Sequence, residues 1–144
     1  MTTVASELAV GPVPRTPAGT PLVGDLVVFP VPYGSGSFPG DWVEVMCGIA
    51  GMDFARLVAG HGPVQTDRSY LSRFTVLLES VVERATAGAA AGRSAEQILE
   101  LLGNAPVVLD FADREAARRA LVPFFLRPVV SRTLELADGG SGGC

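Results

Sequence analysis

The chain has 144 residues, of which 48% are hydrophobic and 18% charged, and this size and balance indicate a single globular domain. Its 15 acidic and 11 basic side chains give a net charge of −4, and every base is an arginine, so the composition indicates no basic patch for nucleic acid. No apolar run approaches the roughly 20 residues that span a membrane, and no signal-peptide pattern opens the sequence. We therefore expect a cytoplasmic protein that binds neither nucleic acid nor membranes.

Composition divides the sequence into three parts. Residues 1–21 are rich in Gly, Pro and Thr, which predicts an irregular N-terminal segment. Residues 138–144 form a Gly/Ser tail that we expect to be flexible, with Cys144 exposed at its end. The folded domain is expected to cover residues 22–137.

The first predicted element is a buried strand. Residues 22–31 are apolar and rich in β-branched side chains, and Pro30 and Pro32 should end the strand near Phe29. Asp25 lies inside this run, where a carboxylate is costly to bury unless it is paired, hydrogen-bonded or bound to a metal. The alternative is a strand that begins after Asp25 and leaves the acid in a solvated turn.

A glycine-rich loop and a helix are predicted next. The loop Tyr33–Gly40 lacks the Gly-Lys-Ser/Thr sequence of a phosphate-binding loop, so it does not predict nucleotide binding. Asp41 resembles a helix N-cap, and Cys47 is expected to be a small buried side chain within the helix. The apolar stripe that should dock this helix consists of Trp42, Val45, Met46 and Ile49.

His61 is the only histidine of the chain, and it lies between two glycines after a short apolar run that predicts a second strand. Glycines on both sides allow a tight turn and a close approach of the backbone, which is how a metal ligand is often presented at a strand end. The alternative is a turn histidine that only caps or hydrogen-bonds. The order of strand, helix and strand predicts a crossover unit if the strands are parallel neighbours.

Helices dominate the rest of the sequence. The longest predicted helix is capped by Thr66 or Asp67 and ends or frays within residues 85–92. Ser94 and Gln97 form a capping box that begins another helix. The apolar stripe of the long helix consists of Tyr70, Phe74, Leu77, Leu78, Val81 and Val82.

A last helical segment is predicted from near Asp113, and Pro123 and Pro128 should kink or divide it. The charged residues of the helices, including the pair Arg118 and Arg119, are interpreted as solvated faces. We expect an α/β fold in which helices outnumber strands and a partial sheet is covered on one side by the helices that carry Trp42 and Tyr70.

Three motifs follow one another in a distinctive order. The sequence Gly24-Asp25-Leu-Val-Val-Phe29, the helix around Trp42 and the sequence Ala59-Gly-His-Gly-Pro63 together resemble the second half of metallo-β-lactamase-fold hydrolases, over residues 22–136. The long helix, the Gly-Arg-Ser step and the next helix fit the same order. This resemblance implies half of an αββα sandwich, rich in helices and with a small sheet.

The resemblance also implies a metal site. In that family an Asp after a Gly at a strand end bridges two metal ions, and a His in a Pro-Gly-His-Gly-Pro turn binds one of them. Asp25 and His61 match these positions, with Ala59 where the family usually has Pro. The implied cofactor is zinc or another divalent metal, and the implied activity is hydrolysis of an ester, thioester or related bond by a metal-bound hydroxide.

The chain departs from this family in its first half. Family members carry a His-x-His-x-Asp-His cluster and a further His before the bridging Asp, and this chain has one histidine, with residues 1–20 too few to supply the missing elements. A catalytic zinc usually takes three protein ligands and one water. We therefore expect an incomplete hydrolase-related chain that is inactive alone and holds no metal firmly; a truncated gene, a mis-called start or a degenerate paralogue would each produce it.

Two other functional classes stay open. The chain is alternatively a non-catalytic helical module for interaction or oligomerisation, or the product of a decayed gene without a selected activity. Half of a layered fold exposes the apolar face that the other half would cover. We therefore expect a homo-oligomer, or a partner protein that completes the fold.

Overall fold

A computed structural model of the chain describes residues 13–17 and 19–139. Within these residues, two parallel strands and five helices confirm the expected α/β fold in which helices outnumber strands. Cys144 lies outside the described residues. The elements in chain order are β1 (Leu22–Val28), α1 (Pro39–Ala50), β2 (Val58–His61), α2 (Ser69–Ala90), α3 (Ala95–Gly103), α4 (Pro106–Asp113) and α5 (Ala116–Gly139).

The two strands are parallel neighbours, and α1 lies between them in the chain. Val23 and Val27 of β1 are buried, whereas Asp25 on the same strand is exposed. Trp42 of α1 donates a hydrogen bond from its indole nitrogen to the Leu26 carbonyl oxygen at 3.2 Å, and the Tyr70 hydroxyl of α2 donates to the Val28 carbonyl oxygen. Both helices predicted to cover the sheet therefore contact β1.

The start of α1 differs from the prediction. Phe38 is the N-cap residue and makes no side-chain capping bond, and Pro39 occupies the first turn. Proline suits this position because its missing N–H would have no partner there. Asp41, predicted to be the N-cap, instead lies within the first turn, where the helix dipole favours a carboxylate.

The buried face of α1 matches the predicted stripe, and its four residues Trp42, Val45, Met46 and Ile49 are all buried. Cys47 was expected to be buried but is exposed. It falls between the stripe positions, so its side chain faces away from the core. The residue type of Cys47 alone therefore did not predict on which face of α1 it lies.

Asp67 and Arg68 together anchor the start of α2. The Ser69 backbone N–H donates to Asp67 Oδ1 at 2.8 Å, and hydrogen bonding from the Ser69 side chain and then its backbone holds the pKa of that carboxyl below its ordinary value. The residue at the N-cap position is Arg68, and its guanidinium donates to the carbonyl oxygens of Ala50 at 2.9 Å and Met52 at 2.6 Å. Arg68 therefore ties the start of α2 to the end of α1.

The boundary between α2 and α3 confirms the predicted capping box. The Gln97 backbone N–H donates to Ser94 Oγ, and the Gln97 side chain accepts from the Ser94 backbone N–H. Gly92, with a φ of +74°, lies in the left-handed region between the two helices. The chain therefore stops one helix and begins the next within a few residues.

The C-terminal helices differ most from the prediction. α4 was not predicted, because its eight residues complete only about two turns and open on apolar, β-branched residues that indicate no clear period. α5 begins at Ala116 rather than near Asp113 and continues through Pro123 and Pro128 without division. With 24 residues it is longer than α2, and it extends past the predicted start of the tail at residue 138.

The core lies where α1, α2 and α5 meet. Trp42, Phe74 and Phe125, one from each helix, have ring centroids 5.4–6.0 Å apart. Arg118, interpreted from the sequence as solvated, is only 3% exposed. Its position is one turn before the buried Val122, on the stripe that α5 turns toward the core.

Candidate functional site

Asp25 and His61 lie side by side on the two strands. The distance between Asp25 Oδ1 and His61 Nε2 is 3.5 Å, and both side chains are mostly exposed, Asp25 by 78% and His61 by 71%. The two side chains are thus close to each other, and both line one cavity. Asp25 lies within β1, and its side chain is exposed. It therefore matches neither the buried acid nor the turn residue before the strand that the sequence left open.

The register between β1 and β2 is irregular around the two residues. Gly24 faces Ala59 and Val28 faces His61, so four steps along β1 correspond to two steps along β2. The extra residues of β1 form a bulge, for which Gly24 supplies a φ of +54°. Asp25 lies between the paired positions Gly24 and Val28, which face Ala59 and His61, so it is adjacent to the last residues of the β2 ladder near His61.

The two glycines beside His61 are required by close packing. A Cβ on Gly60 would overlap Asp25 Oδ1 and would lie 2.7 Å from the Gly24 carbonyl carbon. Gly62 has a φ of +94°, and a Cβ there would lie 2.7 Å from the Phe29 Cβ. The Gly-His-Gly sequence thus allows β2 to approach β1 closely at the position of Asp25.

A cavity of about 670 Å³ opens beside the pair. Asp25 and His61 belong to its lining, and most of the remaining wall is apolar, including Leu26, Val28 and Trp42. The loop before α1 completes the wall with residues 35–38. The pair therefore lies at the polar side of a cavity large enough for a small organic molecule.

The separation of the pair limits its chemistry. A charge-assisted hydrogen bond between nitrogen and oxygen is about 2.7–2.9 Å long, and the 3.5 Å between Asp25 Oδ1 and His61 Nε2 is longer. Two donor atoms bound to one tetrahedral zinc at ordinary bond lengths lie about 3.4 Å apart. The observed separation is therefore longer than a hydrogen bond between the two side chains and close to the spacing of two ligands of one zinc ion.

Further ligands are not found nearby. The part of the chain that the structure describes contains no group of three or more His, Cys, Asp or Glu side chains that could hold a metal ion. Asp41 and Asp67, which the sequence suggested as helix caps, lie in the first turn of α1 and at the start of α2. The pair alone falls short of a catalytic zinc site, which usually has three protein ligands.

Sequence reasoning missed Arg118 and its surroundings. Its guanidinium carbon lies 4.3 Å from the Phe111 ring centroid and 5.1 Å from the Tyr70 ring centroid, and burial lowers the pKa of Arg118. The neighbouring Arg119 is exposed and pairs with Asp113 at 2.5 Å. The helical spacing of Arg118 from Val122 and Phe125 was the signal that could have separated the two arginines.

Comparison of the chain with protein-family models, with curated proteins and with solved structures found no match. Among the described residues, no helix is both long enough and apolar enough to cross a membrane.

Proposed function

We propose that this chain carries part of the metal centre of a metallo-β-lactamase-fold hydrolase, with Asp25 and His61 as two of its ligands. The observation that supports this most strongly is the 3.5 Å separation of the two side chains, which lie on adjacent parallel strands and beside a cavity. The order of strand, helix, strand and long helix agrees with the same proposal.

The residues of the chain would serve two purposes in such a centre. Asp25 and His61 would hold a divalent metal, zinc or a related ion, and the metal when bound would polarise a carbonyl and activate water. The apolar wall that includes Leu26, Val28 and Trp42 would receive the apolar part of an ester or thioester substrate. The remaining ligands would come from a partner that completes the fold.

Metal analysis of the isolated protein tests this proposal. Protein purified without chelator is expected to hold clearly less than one metal ion per chain, because two ligands bind zinc weakly. Added zinc should bind reversibly, and His61→Ala and Asp25→Ala should each weaken that binding. Asp53→Ala is the matched control, because Asp53 is exposed on the loop before β2 and is not part of the cavity wall.

Two outcomes would contradict the proposal in different ways. Stoichiometric zinc, iron or manganese that is lost in either variant would show that this chain holds a complete metal centre. The proposal of an incomplete centre would then be wrong. If zinc bound equally to the wild type and to both variants, the proposed relation to the hydrolases would be contradicted. The interaction module would then be favoured.

The interaction module is the second candidate, and a specific apolar surface favours it. Leu121 and Phe124 lie one turn apart on α5 and are 37% and 61% exposed. Large apolar side chains on one helix face commonly mark a contact with another protein. A second copy of this chain is the partner we consider, in agreement with the expected homo-oligomer.

A further inference from the structure

A second cavity lies on the other side of the strand ends. Its volume is about 260 Å³, and it lies between the segment after β2, the first turns of α2 and the start of α5. It shares no lining residue with the cavity beside Asp25 and His61. Its wall contains three arginines, Arg73, Arg114 and Arg118.

Arg118 is the best-positioned of these three cations. It is 3% exposed, and it donates from Nε to the Pro30 carbonyl oxygen at 3.1 Å and from Nη1 to the Phe111 carbonyl oxygen at 3.3 Å. These bonds and the surrounding rings fix the guanidinium, while Nη2 is left without a protein partner among the described residues. No fully buried side-chain nitrogen among the described residues lacks a partner, so Nη2 keeps some exposure, and Arg118 lines the cavity.

The charge around this guanidinium is not balanced by the protein. Neither Arg118 nor Arg73 forms an ion pair within the described part of the chain, and Arg114 pairs with Asp110 at 3.2 Å. Asp67 and Glu115 also line the cavity, so its formal charge is three positive against two negative. Burial is the main cause that lowers the pKa of Arg118; the charge of Glu115 opposes this, and repulsion from Arg73 and Arg114 adds a smaller lowering.

We propose that this cavity is a binding site for a small oxyanion of the phosphate type. An oxyanion would accept hydrogen bonds from guanidinium groups in the planar, forked geometry that arginine provides, and it would relieve the repulsion among them. The start of α2 lies in the same wall at Ser69, whose N–H already donates to Asp67, so the arginines supply the attraction for an anion. The site is independent of the Asp25 and His61 pair.

The Tyr70 hydroxyl is excluded as a ligand donor. It already donates to the Val28 carbonyl oxygen, with the Pro30 carbonyl oxygen 3.3 Å away, and burial raises the pKa of this hydroxyl. The Tyr70 ring therefore packs against the Arg118 guanidinium, and the arginines supply the hydrogen-bond donors for the anion.

Titration of the full chain with inorganic phosphate, followed by amide NMR signals, tests the site. We expect saturable shifts in residues 66–70 and 114–118, and no such saturation with sodium chloride at equal ionic strength. Arg73→Gln should weaken phosphate about tenfold, the usual effect of losing one hydrogen bond to a charged group. Arg84→Gln, an exposed arginine on the same helix but outside the cavity, should leave the affinity unchanged.

Glu115→Gln removes a negative charge from the cavity wall and should tighten phosphate binding. Arg118→Lys keeps the positive charge but loses the forked guanidinium donors, so it should weaken phosphate binding. If this buried substitution unfolds the protein, the Arg73→Gln and Glu115→Gln variants provide the test of the proposal. Shifts that do not saturate, that chloride reproduces, or that Arg73→Gln and Arg84→Gln alter equally would overturn the proposal.

Discussion

At the scale of single residues, Gly60 controls whether Asp25 and His61 can meet. An alanine Cβ at this position would overlap the Asp25 carboxylate and crowd the Gly24 and Asp25 backbone at 2.7 and 2.8 Å. We expect Gly60→Ala to cost about 1–3 kcal/mol of unfolding free energy, as overpacked substitutions do. The measurement is a urea unfolding curve.

Gly48→Ala is the matched control for this change. Gly48 is an exposed residue of α1 with open space around its Cβ position. Alanine there should stabilise the protein by about 0.5–1 kcal/mol, because glycine is unfavourable inside a helix. A Gly60→Ala variant as stable as Gly48→Ala would show that the close approach of the strands is wrong.

Cys47 provides a second residue-scale prediction. Its thiol donates a hydrogen bond to Glu79 Oε1 at 3.2 Å, and this bond, with the nearby charge of Glu79, raises the pKa of the thiol. Because the thiolate is the reactive form, alkylation should become fast only at higher pH than for an ordinary cysteine. Glu79→Gln should lower the midpoint pH of the alkylation rate.

The alkylation experiment needs a Cys144→Ser background, so that one thiol is measured. Glu83→Gln is the control, since Glu83 is exposed one turn further along α2 and makes no bond to the thiol. If the midpoint pH were the same with and without the Glu79 carboxylate, the hydrogen bond would not exist in solution.

At the scale of elements, the capping box of α3 makes a quantitative prediction. Ser94 and Gln97 satisfy each other's backbone N–H groups. Ser94→Ala should cost about 1 kcal/mol, the usual value for a lost N-cap. A double-mutant cycle with Gln97→Ala, measured by urea unfolding, should give a coupling of about 0.5 kcal/mol or more.

Ser72→Ala is the comparison for this element, because Ser72 is exposed within α2 and not at a helix end. Its effect should stay within about 0.5 kcal/mol. Additive effects of Ser94→Ala and Gln97→Ala would contradict the reciprocal box.

Elements with strong local signals were predictable from the sequence. The Ser94 to Gln97 box and the stripe from Tyr70 to Val82 are encoded by residues within a few turns; the box agrees with the structure, and so does the stripe except for Val82, which is half-buried. Helix α4 was not predictable from the sequence, because its eight residues are too few to establish a helical repeat of apolar positions. Asp41 was misplaced because the sequence could not show that Pro39 already begins the helix.

The candidate site was predictable in its residues but not in its geometry. Asp25 and His61 were identified from residue type, glycine neighbours and a family resemblance. Their contact depends on the pairing of β1 with β2, between residues more than thirty positions apart. Arg118 was misinterpreted as solvated because its charge was given more weight than its helical spacing, which places it on the buried face of α5.

At the scale of the whole molecule, the exposed apolar face of α5 predicts self-association. Light scattering of the wild-type protein should report a species larger than the monomer, and Phe124→Glu should shift it toward the monomer. Leu101→Glu is the control, because Leu101 is 52% exposed but lies on α3. A folded wild-type protein that stays strictly monomeric at high concentration would contradict this prediction.

The claim that Asp25 and His61 form one cation site is tested most directly by zinc titration followed on the His61 imidazole, whose NMR signals are unique because the chain has one histidine. We expect zinc to shift these signals and Asp25→Asn to weaken the response by about tenfold or more, since even residues that only orient a ligand have effects of that size. Asp53→Asn should leave the titration unchanged. Equal zinc affinity at His61 in wild type and Asp25→Asn would contradict the shared site.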